Sequence, residues 1–145
     1  MRGWIRRIQD IRLLSSELSA EKLTAVAGTI HCDTWVREFA RLQHVRDTKS
    51  PIWHCHITPE TGTLTRRQCT MLADLMERTQ RYTGWPWIAL TDGASVHHIV
   101  CRVRADGTLR RPEHATWRLR DVITMMHANK RQPHHTVAEP QNSIG

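Results

Sequence analysis

The sequence predicts an α+β domain: a central antiparallel sheet with flanking helices. Short runs rich in β-branched residues are bounded by Gly, Pro and Asp-Gly turns, the mark of strands and hairpins. Between them lie stretches with apolar residues at three- and four-residue spacing, the mark of amphipathic helices. Strands joined by so short a turn as Asp92-Gly93-Ala94-Ser95 must run antiparallel, which separates this pattern from a doubly wound sheet. At 145 residues the chain suits one domain with a real core. It carries 21 Lys+Arg against 14 Asp+Glu, a net charge of +7, with arginine far more common than lysine. That balance favours an anionic partner, since guanidinium pairs well with phosphate. Its four cysteines are scattered without a C-x-x-C pair, so a zinc ribbon is excluded and a reduced, cytoplasmic setting is expected. No apolar run approaches membrane length and no signal peptide is visible.

In chain order, Trp4, Ile5, Ile8, Ile11 and Leu14 recur at helical spacing, so residues 1–28 read as a helical N-terminal segment. Ser16 or Ser19 would cap a second helix that Gly28 ends. Arg2, Arg6, Arg7 and Arg12 on such a helix could lie along a phosphate backbone, or form a solvated face. An α+β domain spanning 29–130 follows. Thr29-Ile30-His31-Cys32 reads as a short strand, and Asp33 or Thr34 caps a helix with Trp35, Val36, Phe39 and Leu42 on its core face. After a polar loop, Pro51 opens a strand from Ile52 to Thr58. There Trp53, Cys55 and Ile57 alternate with His54, His56 and Thr58, placing His54 and His56 on one face at the spacing of a metal clamp. The competing reading is two polar residues on the outer face of a half-exposed strand. Thr65-Arg66-Arg67-Gln68 is a capping box opening a helix to about Thr83, with Cys69, Leu72, Leu75, Met76 and Thr79 as its buried stripe. Gly84 and Pro86 end it.

Trp87 to Leu90 and Val96 to Val103 form the hairpin around Asp92-Gly93, and Asp106-Gly107 marks the next turn. His97 and His98 sit in the second strand, with Asp92 at its rim. A last helix runs from Thr116 to about Lys130, with Trp117, Leu119, Val122, Ile123 and Met126 as its apolar face. Residues 131–145, with His134-His135, read as a disordered tail.

The order of these pieces resembles the relaxases, the mobilisation nucleases of conjugative plasmids and integrative elements. In that family a strand of type P-V-W-H-x-S-L precedes an L-[ST]-x-x-[QE]-W helix start. A W-[VI]-A-V strand then leads to a histidine and to a His-hydrophobe-His triplet, followed by an Arg/Gly-containing turn. Here PIWHCHI, TLTRRQC, WIAL, VHHIVCRV and RADGT stand in that order over roughly residues 30–107. The resemblance implies the His-hydrophobe-His endonuclease fold, a divalent metal (Mg, Mn or Zn) and single-stranded DNA as partner. It also implies a tyrosine that attacks a DNA phosphate, leaving a 5′-phosphotyrosyl link and a free 3′-hydroxyl.

The chain departs from that pattern at the ligands and at the nucleophile. Read without gaps from Trp87, the family's three histidines fall on Asp92, Val96 and His98. Shifted by one, His97 takes the place of His98 and Ser95 replaces its partner. Adjacent strand residues point to opposite faces, so only one of His97 and His98 can serve one site. The family's tyrosine lies near the N-terminus, whereas this chain has Tyr82 alone, and it looks as if it begins inside or after the nucleophile-bearing start. The candidate metal ligands are therefore His98, Asp92, His97, His54 and His56, with His98 favoured over His97. The candidate DNA contacts are Arg102, Arg104, Arg110, Arg111 and Thr58. The leading expectation is a reduced relaxase-like protein of mobilisation that binds single-stranded DNA. If active, it would be a metal-dependent strand-nicking transesterase. The competing classes are a non-catalytic accessory or scaffold protein of a conjugation complex and a His/Cys structural metal protein.

Overall fold

In the computed structural model, residues 1–30, 33–111 and 114–131 are described. Five strands and four helices follow one another as β1 (Arg2–Ile8), α1 (Ile11–Glu17), β2 (Thr24–Gly28), α2 (Trp35–Leu42), β3 (Ile52–Thr58), α3 (Arg66–Thr79), β4 (Trp87–Thr91), β5 (Val96–Cys101) and α4 (Ala115–Arg131). The strands form one sheet in the order β1-β3-β5-β4-β2, and every neighbouring pair is antiparallel. This is the expected α+β class.

The first segment departs from the helical expectation. Arg2 to Ile8 is an edge strand paired with β3, and Thr24 to Gly28 is the opposite edge, paired with β4. Residues 1–28 thus supply both edges of the sheet instead of a separate helical unit. Trp4, Ile5 and Ile8 satisfy a helical period, but pairing with β3 overrides it and puts Trp4 and Ile8 on one face and Ile5 on the other. Only Ile11 and Leu14 keep a helical role, buried on α1 behind an Asp10 cap whose side chain accepts from the Arg12 N–H. Ser19 caps no more than a single 3-10 turn, Ala20–Lys22. Thr29 and Ile30 lie beyond β2, and the expected strand's other half, His31-Cys32, lies outside the described residues, as does the tail from residue 132 onward.

Alternation along β3 and β5 divides the core in two. On one face Trp53, Cys55, Ile57, Val96 and Val100 pack beneath α3 (Cys69, Leu72, Met76) and α4 (Leu119, Val122, Met126). On the other, Ile52, Ile88, Leu90, Ile99 and Cys101 pack beneath α1 and α2, where Trp35, Phe39 and Leu42 are buried. The capping box at Thr65 and Gln68 forms as the sequence indicates. α3 ends four residues before Thr83. There Arg81 takes a left-handed conformation (φ 59°) and the Tyr82 N–H bonds the Glu77 carbonyl, a Schellman closure that swings Tyr82 into the core. Trp117, expected on the apolar face of α4, is 63 % exposed.

Gly28 marks the tightest backbone approach. Its φ is +143°, and a Cβ there would lie 2.6 Å from the Trp87 carbonyl oxygen. The steric conflict is with backbone that cannot swing away. Gly28→Ala is expected to lower unfolding free energy by about 2–3 kcal/mol. Urea denaturation with an unchanged midpoint would refute this.

Candidate functional site

The register of the sheet builds the site. On the face covered by α1 and α2, one row across β1, β3, β5 and β4 reads Trp4, His56, His97, Leu90, and the next reads Arg6, His54, Ile99, Ile88. The two helices pack toward the far end of this face, around Ile52 and Cys101, and the rows nearest the β4–β5 turn carry the histidines. Directly opposed residues in an antiparallel pair have neighbouring side chains. Accordingly the His56 and His97 rings stack in parallel with centroids 4.2 Å apart. Across the diagonal, a His54 Nε2 to His97 Nδ1 hydrogen bond spans 3.0 Å. Trp4 meets both His54 and His56 edge-on, at 5.1 and 5.3 Å.

The hydrogen bonds determine which nitrogen carries which proton. Arg6 Nε donates to His54 Nδ1 at 3.1 Å, and a guanidinium cannot accept, so Nδ1 carries the lone pair. A neutral His54 therefore holds its proton on Nε2 and donates it to His97 Nδ1. The third imidazole, His56, bonds Ser95 Oγ through Nε2 at 2.8 Å. Asp92 sits behind Ser95 and accepts the backbone N–H groups of Ala94 and Ser95 at 2.9 and 2.8 Å, an Asx turn that closes the hairpin. Burial pushes the Asp92 carboxyl up, but these backbone donors outweigh it and hold the group below its ordinary range. Ser95 is itself buried, so its hydroxyl positions His56 instead of facing solvent.

Burial, reinforced by the neighbouring His97 and Arg6 charges, pulls His54 down to about 3. Burial and His56 bring His97 down to about 4 against the opposing pull of Asp92. His56 shifts down in the same direction, chiefly through burial. At neutral pH the cluster is thus three neutral imidazoles beside one guanidinium.

In this arrangement four of the six ring nitrogens are engaged in hydrogen bonds. The His54 lone pair is spent on Arg6, the His97 Nδ1 lone pair on His54, and His56 Nε2 is engaged with Ser95. Among the described residues no group of three His, Cys, Asp or Glu side chains is placed to hold a metal ion. The described cysteines Cys55, Cys69 and Cys101 are buried free thiols whose pKa values burial raises.

Of the five candidate ligands, His54, His56 and His97 come together and Asp92 lies behind them. His98 does not join them. It faces the other core, so the preference for His98 over His97 is corrected: the strand's alternation in the observed register puts the odd-numbered histidine on the site face. His98 Nδ1 is 2.9 Å from the Tyr82 hydroxyl, while its Nε2 is buried without a hydrogen-bond partner. A hydroxyl donating to Nδ1 leaves only that one N–H unmatched; the reverse orientation would leave two groups unmatched.

The candidate arginines do not surround the histidines. Arg102 is five residues along β5 from His97, roughly 17 Å at strand rise. It is buried, donating to the Ser50 and Arg110 carbonyls. Arg110 is buried too and donates to the Gln80 carbonyl. Arg104 lies flat on Trp85, 3.9 Å from its ring centroid. These three hold the Val103–Leu109 turn in place, and Arg111 is exposed beside them. Thr58 alone of the expected DNA contacts lies on the histidine face, paired with Arg2. Sequence reasoning missed Trp4, Arg6 and Ser95 as site residues. Read with strand alternation, Arg2-x-Trp4-x-Arg6 would have shown a basic and aromatic face.

No family model, curated protein or solved structure matches the chain.

Two outcomes are expected. His54, His97 and His98 (the last also pulled to about 3) bind protons more weakly folded than unfolded. Their contribution is intact above the unfolded histidine value and is lost as pH falls toward 3–4. Melting temperature should therefore be flat near neutrality and decline on acidification below about pH 6.5; a profile flat to pH 4 would contradict it. Tyr82→Phe leaves His98 without its buried partner and should cost about 1–3 kcal/mol in chemical denaturation.

Proposed function

We propose that this chain is a relaxase-like protein of plasmid or integrative-element mobilisation that grips single-stranded DNA, with Tyr82 taking no part in nicking. One observation carries the reading: His54, His56 and His97 gather with Arg6 and the half-exposed Trp4 at one end of a single sheet face. A half-exposed indole and a cation on the edge strand of an antiparallel sheet suit a flexible strand that offers bases and phosphates. Arg2 and Thr58 extend the same face.

The relaxase resemblance adds a second support. The family's P-V-W-H-x-S-L strand has serine where this chain has His56, and the register centred on His97 has histidine where this chain has Ser95. The two positions touch, at 2.8 Å. The imidazole that the hairpin lacks at Ser95 is thus matched by His56 on β3, whereas the family's first hairpin histidine has no counterpart here. Tyr82 is not placed to nick. It is fully buried on the opposite side of the sheet, bonded to His98, and burial raises its pKa well above the ordinary phenol value. A nucleophile must reach the phosphate and lose its proton there, and this hydroxyl is placed for neither.

A gel assay with an end-labelled oligonucleotide, run with Mg²⁺ or Mn²⁺ and with a chelator, tests binding and scission together. Binding without scission is expected, falling steeply with salt. Arg2→Gln should weaken binding and reduce the log–log salt slope by about 0.7, the value for one phosphate on a single strand. Arg111→Gln, at the far end of the sheet, should change neither. Absence of binding to single-stranded DNA would sink the reading, and metal-dependent scission that Tyr82→Phe abolishes would sink its exclusion of Tyr82.

A further inference from the structure

We propose that β1 forms a single-nucleotide subsite beside the histidines, in which Trp4 stacks one base and Arg6 binds the adjoining phosphate after releasing Glu17. The inference rests on the single-stranded DNA reading above and assigns roles to residues outside the family resemblance. Trp4 is 46 % exposed, although its neighbours on this face, His54 and His97, are buried. A large aromatic ring kept at the surface beside a polar cluster is a stacking platform. T-shaped contacts with His54 and His56 restrict the ring's orientation before any ligand arrives. Rings so restricted lose less entropy on binding.

Arg6 lies two residues along the same face, its guanidinium carbon 5.2 Å from the Trp4 ring centroid. One nitrogen is committed to His54 and another to Glu17 at the end of α1. These two contacts differ in kind. The His54 contact is part-buried and orients the side chain. The Glu17 carboxylate is 56 % exposed, so their ion pair is screened and easily exchanged. A phosphate diester, though tetrahedral, presents two anionic oxygens that accept the same charge-assisted hydrogen bonds as a carboxylate and can take Glu17's place. Glu17 thus competes with the ligand, whereas His54 keeps the guanidinium beside Trp4.

Fluorescence anisotropy on the full chain tests this. The probes are a labelled single-stranded oligonucleotide and the same oligonucleotide with abasic sites. Trp4→Leu should weaken binding of the base-bearing strand about tenfold and leave the abasic strand nearly unchanged, in line with stacking on one base. Arg6→Gln should weaken both strands equally, and Glu17→Gln should tighten both. Wild-type binding that Trp4→Leu leaves intact would overturn the subsite while sparing the wider reading. So would a Trp4→Leu loss of equal size on both strands with a lowered melting temperature, which marks a structural role. Failure of the wild-type chain to bind either strand would overturn both proposals.

Discussion

Every imidazole that β3 and β5 carry is confined between neighbours, because these two strands are central and buried on both faces. Desolvation makes a buried charge or unmatched polar group costly. The sheet answers by pairing: Arg6 to His54, His54 to His97, His56 to Ser95, Tyr82 to His98. The positions of α1, α3 and the hairpin turn all bear on these pairs. Glu17 ends α1 within reach of Arg6. The Schellman closure of α3 delivers Tyr82. The Asx turn at Asp92 presents Ser95.

The same pairing sets the chemistry available. A metal ligand needs an imidazole lone pair free at the ion, and a general base needs one free at the substrate. Here the lone pairs of His54 and His97 Nδ1 are already occupied. The cluster stands as neutral rings bonded to one another, and the charge beside it is the Arg6 guanidinium. The histidines hold Arg6 and Trp4 in place, while β1 meets the solvent. The buried arginines Arg102 and Arg110 illustrate the opposite use of the same side chain: both cap backbone carbonyls and stiffen the turn that follows β5.

Much of the fold was legible because local chemistry determined it. The His54/His56 alternation, the Thr65–Gln68 capping box and the Asp92-Gly93 hairpin depend on neighbours within a few residues. The N-terminal strand was not legible, since Trp4, Ile5 and Ile8 follow a helical period that pairing with β3 overrides. The site was half legible. His54 and His56 were assigned to one face correctly, but whether His97 or His98 joins them depends on the register between β3 and β5. A slip of one residue exchanges the two faces. Arginine clusters misled for a similar reason, as sequence proximity to a histidine strand says nothing of which end of the sheet a side chain occupies.

By itself the sequence determined an α+β chain with two histidine-bearing strands, a basic balance and a lone tyrosine at a helix end. Those features are set by composition, periodicity and turn chemistry. The tertiary structure decided that His97 faces His54 and His56, that His98 and Tyr82 belong to the opposite core, and that Trp4 and Arg6 complete the site. Those outcomes rest on contacts between strands distant in sequence, through a register that no local pattern encodes.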